Sequence, residues 1–132
     1  MGVVYHANYL VWFELGRVEL MRQQGLTYKR MEQEEQAGMA VVEVTVRYKA
    51  PARYDDELLI QTRLTLVRGS LVRFGYRVVR LEDNMLLCEG ETVHVVVGRD
   101  MKRLRMPEKY AALLSAPASD GEAKAMPQEA TR

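Results

Sequence analysis

The chain has 132 residues, 48% hydrophobic and 28% charged, which suits one folded domain with its own core and excludes a disordered chain. Nineteen Lys and Arg against eighteen Asp and Glu leave +1 at pH 7, so no whole-chain field steers nucleic acid or an anionic membrane surface. The lone Cys88 excludes an internal disulfide or a Cys-rich zinc site, no apolar run spans a membrane, and no N-terminal segment reads as a secretion signal; the expected location is cytoplasmic.

The first element is a helix over residues 9–24, with Asn8 as N-cap and Gly25 as the residue that ends it. Leu10, Phe13, Arg17, Leu20 and Met21 recur at helical spacing, and Val11, Leu15 and Val18 widen the apolar surface. A helix so apolar is expected to be wrapped on most sides. A short polar helix follows over residues 27–36, capped by Thr27 and ended by Gly38.

Four strands come next. Residues 41–48 alternate Val42, Val44, Val46 and Tyr48 with polar neighbours, the pattern of a half-buried strand. Leu58, Ile60, Thr62, Leu64 and Leu66 define an inner face; Gly69-Ser70 turns the chain; Val72, Phe74, Tyr76 and Val78 define the next. Asp83-Asn84 turns it again into a long apolar strand over residues 85–98. Short turns between long strands predict an antiparallel meander, and a helix before it gives an α+β layer architecture. Pro107 opens a last short helix. The domain is expected to cover residues 1–115, and residues 116–132, poor in large apolar side chains, to form a disordered tail.

Chemistry concentrates at the front. His94 reads as a hydrogen-bonded sheet histidine, and Asp55 and Asp56 as turn carboxylates. His6 precedes the long helix, where unpaired backbone N–H groups and the helix dipole would stabilise a carbonyl oxygen gaining negative charge. The alternative is that His6 only shapes the entry turn. Tyr9, Trp12, Phe13, Phe74 and Tyr76 read as core rather than as an acyl pocket.

The string Gly2-Val3-Val4-Tyr5-His6-Ala7-Asn8-Tyr9 with Trp12-Phe13-Glu14 and Arg17 resembles the hotdog-fold acyl-CoA thioesterases, the 4-hydroxybenzoyl-CoA thioesterase-like branch in particular. Residues 51–56 and 90–94 agree, and the resemblance covers roughly residues 1–112. It implies a long central helix wrapped by a curved antiparallel sheet, and homodimers or homotetramers with sites between subunits. It implies hydrolysis of an acyl-CoA thioester to acid and coenzyme A, with no cofactor or metal. The backbone N–H at His6 matches the oxyanion donor, and the His6 side chain a catalytic-site position. Tyr5, Ala7 and Asn8 match the substrate-binding turn.

One departure stands out. The branch carries a catalytic Asp seven residues before His6, which falls ahead of Met1, and the first strand of the fold goes with it. The expectation is that Met1 is an internal methionine of a longer product. On a genuinely short chain, the loss of a carboxylate base leaves activity doubtful. Without that strand, uncovered apolar surface would favour association. Glu14 is the substitute carboxylate, since other hotdog branches place theirs on this helix; its alternative is a pairing with Arg17 or a neighbour. Arg47, Lys49, Arg73, Arg77 and the basic residues of 99–105 are candidates for the coenzyme A phosphates. The alternative function is a non-catalytic acyl-CoA or acyl-carrier-protein binding module, or a structural subunit beside an active partner.

Overall fold

The computed structural model describes residues 8–115 and 120–125. Helix α1 (Asn8–Gln23) ends where Gly25 takes φ 85°, a left-handed conformation that glycine adopts without strain. Leu26 N–H then closes back on the Met21 carbonyl, satisfying one of the free helix-end acceptors. Helix α2 (Tyr28–Glu35) begins with the Thr27 hydroxyl accepting from Arg30 N–H, as its sequence predicts. It ends at Gln36, left-handed at φ 53°, rather than at Gly38, which lies inside the next strand.

The strands are β1 (Ala37–Tyr48), β2 (Leu58–Arg68), β3 (Leu71–Arg80) and β4 (Met85–Gly98), followed by α3 (Glu108–Leu114) and β5 (Asp120–Ala125). They form one antiparallel sheet in the order β1-β4-β3-β2-β5. Strand β5 lies within the segment expected to be disordered and pairs along the first half of β2, from Leu58 to Arg63. Its residues have weak strand propensity, so composition alone gave no sign of it; the open edge of β2 supplies the partner.

Helix α1 packs on β5, β2 and β3, while α2 packs on β1. Phe13, Phe74 and Leu87 are fully buried, and Tyr9, Trp12, Leu20, Met21 and Tyr76 nearly so. Burial of one such ring contributes about 2–3 kcal/mol. The helix lies close to the sheet because two glycines admit it. A Cβ at Gly16 would strike Thr62 Oγ1 and Ile60 on β2, and a Cβ at Gly90 would strike the Phe13 ring and the Thr45 carbonyl.

The expectation of a helix covered on most sides is corrected. Leu10, Val11, Leu15 and Val18 are exposed, because the sheet reaches only one side of α1. Strand β1 is likewise more open than its alternation suggests: Val42, Val44 and Tyr48 are exposed. It is an edge strand, and α2 covers only part of it.

Candidate functional site

Among the described residues, parts of the three stretches that carry the family resemblance meet at α1. Tyr9, in the first turn, accepts a hydrogen bond from Ala52 N–H at 3.1 Å and packs edge-on against Trp12 and Tyr48. Burial pushes the Tyr9 phenol above its ordinary pKa, so it stays protonated. The loop after β1 is thereby tied to the start of the helix. Asp56 holds that loop in shape: its carboxylate accepts from Arg53 N–H at 2.8 Å and from Arg80 at 3.1 Å. The reading of Asp56 as a turn residue holds. Phe13 lies over Gly90 and stacks on Tyr76, ring centroids 4.4 Å apart.

Beneath that stack runs a buried polar chain. Arg17 donates to the Tyr28 hydroxyl at 3.1 Å and to the Tyr76 hydroxyl at 3.4 Å. The Tyr76 hydroxyl bonds Thr92 Oγ1 at 2.6 Å, and Thr92 shares a 2.8 Å bond with His94 Nε2. Burial disfavours the Arg17 charge, and the two tyrosines more than restore it. His94 is pushed down to about 4, by burial first and by Arg17 second, so it is neutral at pH 7. This is the hydrogen-bonded sheet histidine that its position suggests. Tyr28 and the Arg17 chain are absent from the sequence reading, because Tyr28 and Tyr76 lie 11 and 59 residues away from Arg17.

Of the expected site residues, Tyr5, His6 and Ala7 lie outside the described residues. Asn8 is buried and is the first residue of α1, inside the first turn rather than before it. Glu14 is exposed, on the helix flank that also carries Leu10, Val11, Leu15 and Val18. Among the described residues it forms no ion pair, and Arg17 turns instead to the tyrosines, so the Glu14–Arg17 pairing does not occur. Six residues separate Glu14 from Asn8, about 9 Å along the helix axis at the usual rise.

The arrangement offers carboxylate chemistry rather than thiol chemistry. Cys88 is buried, and burial pushes its pKa up to about 12, so it does not ionise near neutrality. Among the described residues no three potential ligands cluster around a metal position. Arg47 and Lys49 both face Glu89, at 3.6 and 3.8 Å, and Arg77 bonds Gln61.

The comparisons with known proteins agree with this architecture. The profile of the Thioesterase-like superfamily matches residues 1–129. The chain is 39% identical over 112 residues to the acyl-CoA thioester hydrolase YbgC of Escherichia coli O6:H1, covering 84% of this chain and 82% of that one. It is 36% identical to the crystal structure of a hypothetical protein, TT1821, from Thermus thermophilus, with a TM-score of 0.79 over 87% of this chain and 86% of that one. A 4-hydroxybenzoyl-CoA thioesterase mutant, crystallised with 4-hydroxybenzoyl-CoA, superposes with a TM-score of 0.80 over 86% of this chain and 87% of that one; at 23% identity it speaks to fold alone. One long helix on an antiparallel sheet is therefore the hotdog fold, and the chain belongs to the thioesterase-like superfamily.

Proposed function

We propose that this protein hydrolyses acyl-CoA thioesters to a free acid and coenzyme A, at a site that begins at the first turn of α1 and is completed between two protomers. The observation that carries the reading is the 39% identity to a named acyl-CoA thioester hydrolase across most of both chains. The geometry supports it: the loop of residues 51–56, the buried face of α1 and the Gly90 strand are bonded or packed into one unit.

The chemistry follows from the residues. Backbone N–H groups at the opening of α1 polarise the thioester carbonyl and stabilise the oxyanion. Glu14 takes a proton from water, the hydroxide attacks the carbonyl carbon, and the thiolate of coenzyme A leaves and takes up that proton. Glu14 sits among Leu10, Val11, Leu15 and Val18 on an apolar flank. A second copy covering that flank and the exposed β1 edge would shield the reacting groups from bulk water. This supports a homodimer, itself free to pair into a tetramer, with the reacting groups at its interface.

The test is release of free thiol from a panel of aromatic, short and long acyl-CoAs. The expected result is turnover that falls at least 10²-fold in Glu14→Gln while acyl-CoA binding is retained. Acyl-CoA binding without thiol release by the unsubstituted chain would transfer the reading to a non-catalytic binding module. Full activity in Glu14→Gln would remove Glu14 from the chemistry and leave the activity itself standing.

A further inference from the structure

One end of the molecule carries a concentration of charge that the whole-chain balance conceals. Strand β4 ends at Gly98 in a tight turn. Asp100 accepts from Lys102 N–H at 3.0 Å, Gly98 N–H reaches the Lys102 carbonyl at 2.9 Å, and Leu104 N–H returns to Val96 at 2.9 Å. Met106 N–H then bonds the Gly69 carbonyl at 2.8 Å, and Val96 N–H bonds Ser70. These bonds seat the turn against the β2–β3 hairpin, which ends β2 at Arg68.

Arg68, Arg99, Lys102, Arg103 and Arg105 are thus gathered at one end, and all five are exposed. Among the described residues none of the five forms an ion pair, a state they share with Lys29, Arg53, Arg73, Arg77 and Lys124 elsewhere, but here they stand together. Asp100 is the single acid between Gly98 and Pro107, and its carboxylate is turned to its own backbone. Among these cations Met101 is 69% exposed and Leu104 39%. Met101 takes φ 62°, so the turn holds an apolar side chain in water at a strained backbone position.

We propose that this turn is a docking surface for an anionic lipid bilayer, with Met101 and Leu104 entering the interface and the five cations facing the headgroups. Two features favour a bilayer over a soluble anion or an acidic protein. All five cations are exposed, so they can meet a plane together. A soluble phosphate would also gain nothing from an exposed methionine at the tip, whereas cations ringing an apolar tip match an interface that is charged outside and apolar inside. The inference does not depend on the thioesterase reading.

The experiment is sedimentation of the full chain with vesicles of mixed phosphatidylglycerol and phosphatidylcholine, beside phosphatidylcholine alone. The expected result is binding to the anionic vesicles only, lost at high salt. Each of Arg99→Gln and Arg103→Gln should weaken partitioning about fivefold, with unchanged circular dichroism. Met101→Cys, labelled with a polarity-sensitive dye, should shift to the blue on anionic vesicles; Cys88 is buried and leaves the label specific. Absence of binding to anionic vesicles at low salt overturns the proposal. So does an Arg99→Gln with Arg103→Gln double variant that keeps full vesicle binding, whether or not it raises the KM for acyl-CoA or loses capture of an acidic protein.

Discussion

The two sides of α1 are almost equally apolar in sequence and opposite in circumstance. Phe13 is fully buried and Leu20 nearly so, while Leu10 is 43% and Val11 59% exposed. The buried side is fitted to the sheet: Gly16 and Gly90 allow close approach, and Phe13 stacks on Tyr76. The open side has no partner of comparable shape within the described chain, and it carries Glu14. The lesson is that one apolar helix can serve two purposes. One face is satisfied by its own fold, and the other leaves apolar surface and a carboxylate exposed, which is where the proposed second protomer would sit.

That contrast can be broken most sharply from its open side. Val11→Asp with Leu15→Lys should abolish self-association, measured by sedimentation velocity, while circular dichroism stays native. Thioesterase activity should fall with it, because the site is proposed to lie between protomers. A monomeric wild type with full activity would erase the functional half of the contrast. On the buried side, Phe13→Ala should cost about 3–5 kcal/mol in urea unfolding, since the ring leaves a cavity beside Gly90. A loss below ~1 kcal/mol would mean that the two faces are alike after all.

The layer below the buried side adds a pH dependence. Folded His94 is held down to about 4 against an ordinary 6.5, so folding favours the neutral ring. Its stability contribution is whole above pH 6.5 and declines as pH falls from there toward 4, by roughly 1–3 kcal/mol in all. Urea midpoints across that range should drop for the wild type and flatten in His94→Gln. The smallest effect is expected outside both faces: Thr27→Ala removes the α2 cap and should lower stability by about 1 kcal/mol in the same assay.

Much of the fold was legible because the deciding signals are local. The helix pattern and Gly25 set α1 to within a residue at each end, and Thr27 set α2. Alternation placed Val72, Phe74, Tyr76 and Val78 inward, as found. Other features were not legible. Gln36 ends α2 although a glycine stands two residues on, because strand pairing of Gly38 with Val97 claims that residue. β5 escaped notice because its residues are weak strand formers drawn in by the edge of β2. The resemblance named Tyr5, His6, Ala7, Asn8 and Glu14 as site residues, of which the first three lie outside the described residues, and it gave no sign of the partners of Arg17. Hydroxyls brought together across 59 residues leave no periodic trace.

By itself the sequence determined the element types, the inward positions of the central strands and the family, since these rest on periodicity, turn residues and side-chain identity within short windows. Only the tertiary structure decided which side of α1 is covered, that Arg17 is held by tyrosines while Glu14 stays open to solvent, and that Arg68 joins the basic residues around Met101 at one end. These depend on which distant segments share a surface. A sheet of finite width covers one side of a helix and leaves the other to solvent or to a partner.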